Sequence, residues 1–153
     1  MKNRNSLNIM HKGISLISKS WETGDLLREY DKDSHIHYYI QKFWSPTVIT
    51  KHEINPDTIC RYTEYMNFKK EEIWEYDILE YVGPTECDEI QRGIVYMVDG
   101  EWVCQIGRQA PMPLWECMDD MVRVGSYFDE NIDYTSDHLA ENGNTENKEG
   151  KEA

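Results

Sequence analysis

The sequence lacks most of the signals by which enzymes, membrane proteins and secreted proteins are identified. Its 153 residues contain no G-x-S-x-G motif, no glycine-rich phosphate loop and no H-E-x-x-H motif, which argues against the common hydrolases, kinases and metalloproteases. No apolar run is long enough to cross a bilayer or to serve as a secretory signal. We therefore expect a cytoplasmic protein that has no enzymatic activity and no contact with a membrane.

Cysteine is scarce, and its spacing indicates no special chemistry. The four cysteines, Cys60, Cys87, Cys104 and Cys117, form no C-x-x-C pair of the kind that binds zinc or performs redox chemistry. Disulfides are not expected in the reducing cytoplasm, so we interpret these residues as small apolar side chains of the core or the surface. No metal ion and no other cofactor is predicted.

Basic residues are in the minority. The chain has 16 Lys and Arg residues against 29 Asp and Glu residues, which gives a formal net charge of -13. Such a charge repels nucleic acid phosphates and anionic membrane surfaces at long range. Direct binding to nucleic acid is therefore not expected, and a basic or uncharged protein partner fits better.

Large apolar side chains are plentiful, with five Trp and ten Tyr in a chain that is 39% hydrophobic. A chain of this length and composition is expected to fold around one core. Residues 1–13 are polar and predict a flexible N-terminus, whereas residues 135–153 contain Leu139 as their only large hydrophobe and predict a disordered acidic tail. The folded domain is therefore expected at residues 14–134.

The strongest local signal lies at residues 93–106, where two β-prone runs flank Asp99 and Gly100, a dipeptide typical of tight hairpin turns. Residues 20–30 favour a strand over a helix, because Gly24 interrupts the helical pattern. Short strands at close spacing predict an all-β domain with little helix, folded as a compact barrel or as paired half-barrels. The other predicted strands are residues 36–42, 47–54, 73–81 and 122–128.

Four segments resemble, in order, the sequence pattern of the YopX family. Residues 21–27 (WETGDLL) are similar to its W-x-x-G-D-L-L opening, and residues 54–63 (INPDTICRYT) resemble I-x-P-E-T-V-x-Q-Y-T. Residues 73–81 (IWEYDILEY) are similar to I-F-E-G-D-I-V-x-Y, and residues 124–131 (VGSYFDEN) to the closing I-G-N-I-Y-D-N-P. The four segments together extend over most of the predicted domain.

The chain departs from this pattern at three glycines, which are replaced by Glu64, Lys70 and Tyr76. Where glycine supplies a positive φ angle, a side chain at that position causes strain or a different turn. We therefore expect an altered connection near Phe68.

The resemblance implies a phage or prophage origin in bacteria, an SH3-like β architecture and oligomers, and it implies no catalytic residues. With the aromatic content and the missing catalytic motifs, it predicts an accessory protein that acts through protein contacts. The expected partners are further copies of the same chain and a host protein.

One candidate binding surface is an acidic segment interleaved with apolar residues. As a strand, this segment would place one buried face opposite one negative face, which either keeps the surface solvated or mimics phosphates to block a host DNA-binding protein. Trp115 is a second candidate, because two neighbouring prolines favour an exposed segment that docks on another subunit, or else a loop that covers the core. The acidic candidates are Glu71, Glu72, Glu75, Asp77 and Glu80.

Two further patterns have both a structural and a chemical interpretation. His35 and His37 would share one face of a strand and offer two nitrogens to a transition metal, but two ligands do not complete a site. Asp25 and Asp77 would be the carboxylates of an unrecognised enzyme, or would accept hydrogen bonds from the N–H groups of turns. The structural interpretation is the simpler one in both cases.

Overall fold

A computed structural model describes residues 9–84 and 90–130. Strands dominate these residues, and the helical content is one four-residue α-helix and one turn of 3-10 helix, which confirms the prediction of an all-β chain with little helix. The elements are β1 (His11–Ile14), β2 (Trp21–Tyr30), β3 (Ile36–Ser45), β4 (Val48–Glu53), the 3-10 turn (Pro56–Thr58), β5 (Cys60–Met66), β6 (Glu72–Trp74), β7 (Asp77–Tyr81), β8 (Arg92–Val98), β9 (Glu101–Ile106), β10 (Met112–Pro113), α1 (Leu114–Cys117) and β11 (Met121–Ser126).

The strands form two antiparallel sheets that are not closed into a barrel. The strand order is β4-β3-β2-β1-β5-β6 in one sheet and β10-β9-β8-β7-β11 in the other. The predicted single strand at residues 73–81 is wrong, because a turn at Glu75 and Tyr76 separates β6 from β7. Since β6 and β7 then join different sheets, the chain changes sheet at this turn.

The chain divides into two compact units, Met1–Tyr62 and Thr63–Ala153, where one domain was expected. Strand β1 begins at His11, within the N-terminal segment that was predicted to be flexible. The tail predicted at residues 135–153 lies outside the described residues.

In the first unit, β2, β3 and β4 form a meander of two hairpins. The predicted strands at residues 20–30, 36–42 and 47–54 correspond to these three elements. Gly24 allows β2 to lie close against β3, because a Cβ atom there would be 2.4 Å from the Gln41 carbonyl oxygen. The apolar side chains that are buried in this unit are few, namely Ile40, Ile54 and Cys60.

The second unit contains the main hydrophobic core. The predicted hairpin is present as β8 and β9, and Asp99 and Gly100 at its turn have φ angles of 50° and 81°, as a type I′ turn requires. A Cβ atom on Gly100 would meet nothing within 4 Å, so the end of this hairpin projects freely. The buried core residues are Ile73, Leu79, Val95, Cys104, Ile106, Leu114, Cys117, Met118 and Met121.

The three residues at the expected glycine positions all have a positive φ angle, which is 66° at Glu64, 64° at Lys70 and 63° at Tyr76. Three non-glycine residues thus adopt the backbone conformation that glycine favours. The connection near Phe68 is a tight turn in which the Lys70 N–H donates to the Asn67 carbonyl oxygen at 2.9 Å. Among the described residues, no helix is long and apolar enough to cross a membrane.

Candidate functional site

The acidic segment does not form the negative surface that was predicted from the sequence. Glu75 and Asp77 are buried, with relative exposures of 7% and 0%, whereas Glu72 is exposed at the start of β6. The turn between β6 and β7 is the cause, because it ends the strand alternation that would have kept these side chains on one face.

The two remaining acidic candidates have structural partners. Glu71 accepts hydrogen bonds through Oε1 from the Asn67 side-chain amide at 2.9 Å and from the Arg123 backbone N–H at 3.2 Å. Glu80 forms an ion pair with Arg92, with Oε1 3.0 Å from Nε. These carboxylates therefore stabilise the second unit and do not offer a free negative surface.

The carboxylates of Asp77 and Asp25 lie in different surroundings. Asp77 Oδ2 accepts hydrogen bonds from the Trp74 backbone N–H at 2.8 Å and from Arg123 Nε at 2.9 Å. This matches the structural interpretation, in which an aspartate at the entrance of a strand accepts from a turn. Asp25 is half-buried beside Gly24 at a shallow cavity of about 100 Å³ between β2 and β3.

One part of the proline-flanked segment covers the core, and another part is exposed. Met112 and Pro113 pair with β9, and Leu114 is completely buried in the core. Trp115 is 58% exposed on the short helix α1. The segment therefore covers the core through Leu114, while the Trp115 side chain remains accessible.

A stronger apolar surface lies at the end of the β3–β4 hairpin and was not singled out from the sequence. Four large apolar side chains are exposed there within seven residues, and we call them the apolar tip: Phe43, Trp44, Val48 and Ile49. Single exposed hydrophobic residues are common on protein surfaces, but contiguous ones are typical of interaction sites. The sequence shows that these four residues are apolar, but it does not show that they are exposed.

Trp44 is held in place although 62% of it is exposed. It lies at a β-bulge between the pairs Phe43–Ile49 and Ser45–Val48. Its indole N–H donates to Thr50 Oγ1 at 2.9 Å, and Lys42 Nζ lies 4.5 Å from the centre of its ring. An ordered, exposed tryptophan loses little conformational entropy when a partner binds.

The β2–β3 loop carries a group of side chains that we call the His–Asp cluster, defined as Asp31, Asp33, His35 and His37. The loop is ordered by Asp31, whose Oδ1 accepts hydrogen bonds from the backbone N–H groups of Asp33 at 2.8 Å and His35 at 3.0 Å. The backbone N–H of Asp31 donates in turn to the His35 carbonyl oxygen at 2.9 Å. Asp31 thus orders the loop through Oδ1, and its Oδ2 remains available to side chains.

Asp31 Oδ2 faces both imidazoles of the cluster, at 2.9 Å from His37 Nε2 and 3.6 Å from His35 Nδ1. Ligand atoms of Asp31, Asp33 and His35 all lie within 4.8 Å of one another. The other ring nitrogen of His37, Nδ1, lies 2.6 Å from Glu53 Oε1 on β4. Asp31 is therefore a third donor beside both histidines, and Asp33 is a further donor beside Asp31 and His35.

The charges of the cluster perturb two of its members. Hydrogen bonding to Glu53, and then to Asp31, raises the pKa of His37 above its usual value. The hydrogen bond from His37, followed by that from the His35 backbone N–H, lowers the pKa of Asp31. Both shifts show a cluster in which the carboxylates favour a positive charge at His37.

The cysteines are buried apolar residues, as predicted, at the three positions that the structure describes, namely Cys60, Cys104 and Cys117. Cys104 and Cys117 belong to the same core, and contact with Cys117 together with burial raises the pKa of Cys104. Both observations fit a packing role. The fourth cysteine, Cys87, lies outside the described residues.

A scan against protein-family models, a search of the curated proteins and a search of the solved structures each found no match.

Proposed function

We propose that this chain is a non-enzymatic protein-interaction module that associates with a second copy of itself through the β3–β4 hairpin. The proposal depends on one observation, the apolar tip, in which the cross-strand pair of Phe43 and Ile49 is exposed on one face of the hairpin and an ordered Trp44 on the other. Tryptophans that are rigid and accessible are frequent hot spots of protein interfaces.

The edge strand β4 supports a second copy as the partner. Within the described residues β4 ends the six-stranded sheet, so one of its sides carries backbone groups that a further strand can pair with. Two copies of β4 can pair there in antiparallel fashion, because antiparallel partners are related by a two-fold axis.

The resemblance to the YopX family supports a wider setting for this module. We propose a phage or prophage accessory protein that acts in the bacterial cytoplasm and has a host protein as its second partner. A phosphate mimic is not proposed, because Glu75 and Asp77 are buried and Glu71 and Glu80 have structural partners.

Light scattering coupled to size exclusion of the full chain tests the proposal. The double variant Phe43→Ser/Ile49→Ser removes the apolar pair from the tip and is expected to be a monomer at concentrations at which the unchanged chain is a dimer. Ile17→Ser is the matched control, because Ile17 is 90% exposed but lies between β1 and β2. This control is expected to remain a dimer.

Circular dichroism of all three proteins shows whether each keeps its β structure. A monomeric unchanged chain, or a double variant that is folded and still dimeric, would refute self-association through the tip.

A further inference from the structure

We propose that the His–Asp cluster binds a divalent transition metal ion, with Zn²⁺ as the best fit. The ligands are His35, His37, Asp31 and Asp33, and Glu53 positions His37 from the neighbouring strand. The test of this proposal is separable from that of the proposed self-association, because it measures ion binding and not the oligomeric state, and because the four ligands lie at the other end of the β3 strand from the apolar tip.

The donor set selects the class of metal. Two imidazole nitrogens and two carboxylates match the nitrogen and oxygen ligands of zinc, whereas Ca²⁺ and Mg²⁺ prefer sites built from oxygen alone. The four ligands lie within seven residues, and the turn closed by the Asp31 N–H and the His35 carbonyl oxygen brings Asp31, Asp33 and His35 together.

Ligand atoms of Asp31, Asp33 and His35 lie within 4.8 Å of one another, and His37 Nε2 is close to Asp31. Zinc lies about 2.1 Å from its nitrogen and oxygen ligands, so neighbouring ligands of a tetrahedral site are about 3.4 Å apart. The separations of Asp31 Oδ2 from His37 Nε2 and from His35 Nδ1, 2.9 Å and 3.6 Å, lie on either side of that value. Asp33 and His35 are exposed, so rotation of their side chains brings the remaining ligand atoms into place.

The loop is ordered before any ion binds. Asp31 uses Oδ1 to hold the backbone of Asp33 and His35, and this leaves Oδ2 directed at the imidazoles. A ligand that is already oriented loses less conformational entropy on binding.

Glu53 supplies the outer contact that metal-binding histidines usually have. Its Oε1 lies 2.6 Å from His37 Nδ1, so it accepts the proton of that nitrogen when an ion takes the place of the Nε2 proton beside Asp31. A histidine held between a carboxylate and a metal ion has a fixed tautomer and is a stronger ligand. Glu53 is therefore a positioning residue of the site and not a ligand.

The charge of the cluster also favours a cation. Three carboxylates, those of Asp31, Asp33 and Glu53, surround two imidazoles.

Isothermal titration of the full chain with ZnCl₂ in a mildly alkaline buffer, in which metal ions compete better with protons for their ligands, is the direct test. One ion is expected to bind per chain. His35→Ala and Asp33→Asn are expected to weaken binding at least tenfold, and Glu53→Gln about tenfold, the size of effect that outer contacts have at metal sites. Side-chain exposure of 77% at His35 makes its substitution compatible with folding.

His52→Ala is the matched control, because His52 lies on the same sheet but its nearest carboxylate oxygen, in Glu22, is 4.0 Å away. This variant is expected to bind zinc as the unchanged chain does. The visible absorption of Co²⁺, used as a spectroscopic substitute, is expected to show a four-coordinate site that is lost in His35→Ala/His37→Ala.

No saturable binding by the unchanged chain would overturn the proposal, as would equal affinity in the unchanged chain and the His35→Ala/His37→Ala variant. A site that is lost in this variant and kept in His52→Ala would establish it.

Discussion

The two compact units differ in how many of their apolar side chains they bury. The second unit buries nine of them in one cluster around Leu79 and Leu114. The first unit buries few, and it places the apolar tip and the His–Asp cluster on a three-stranded meander. Stability is thus expected to depend most on the second unit, and contacts with other molecules on the first.

The largest effect is expected where a buried charge pair is broken. Asp77→Ala leaves the Arg123 guanidinium and the Trp74 N–H without this acceptor, and the free energy of unfolding should fall by about 4 kcal/mol. Urea denaturation measures this fall in the free energy of unfolding. Glu80→Ala breaks the more exposed pair with Arg92 and should cost under about 1 kcal/mol. Similar losses in both variants would show that burial of Asp77 does not decide the effect.

Truncation of a leucine compares the two units directly. Leu79→Ala, in the core, should lower the free energy of unfolding by about 3 kcal/mol, because it removes buried contacts and leaves a cavity. Leu27→Ala, at a half-buried position of β2, should cost about 1 kcal/mol. Thermal unfolding followed by circular dichroism gives both values. A greater loss for Leu27→Ala would reverse the assignment of stability to the second unit.

Buried amide contacts provide a smaller difference. Asn67 is buried, and its side chain donates to Glu71 Oε1 and the Met121 carbonyl oxygen and accepts from the Lys69 and Glu71 N–H groups. Asn67→Ala should therefore cost about 2 kcal/mol.

The counterpart in the first unit is Asn55, which accepts one hydrogen bond from the Asp57 N–H at the 3-10 turn. Asn55→Ala should cost about 1 kcal/mol. Chemical denaturation compares the two variants, and equal losses would contradict the role of Asn67 as the centre of its turn.

The smallest predicted effect has the opposite sign. Lys70→Gly should raise the free energy of unfolding by about 1 kcal/mol, because the φ angle of 64° strains every residue except glycine. Lys69→Gly is the control, since its φ angle is not positive and glycine there only adds freedom to the unfolded chain. Destabilisation by both substitutions would show that the Lys70 side chain contributes more than its backbone strain costs.

Local patterns predicted the strands well and the turns unevenly. Asp99 and Gly100 marked a hairpin because the sequence contains the residues that a tight turn prefers. The turn at Glu75 and Tyr76 was missed because Tyr76 adopts a positive φ angle without being glycine. The glycine that the YopX pattern has at this position was a signal that could have separated β6 from β7. The predicted acidic face depended on one continuous strand, so the turn also prevents that face from forming.

The His–Asp cluster was half visible in the sequence. The occurrence of Asp31, Asp33, His35 and His37 within seven residues could have indicated four donors in one short segment. Glu53 could not have been found in this way, because it reaches His37 through the pairing of β3 with β4. Strand register depends on contacts distant in sequence, which composition and spacing do not encode.

The free end of the β8–β9 hairpin has a practical consequence. Gly100 has open space around it, and six consecutive residue pairs hold the two strands together. A short peptide inserted at the turn would therefore displace no neighbour. Such exposed turns tolerate insertions. An epitope grafted between Asp99 and Gly100 would anchor the protein to a biosensor surface by its second unit, leaving the meander chemically unmodified for the analyte.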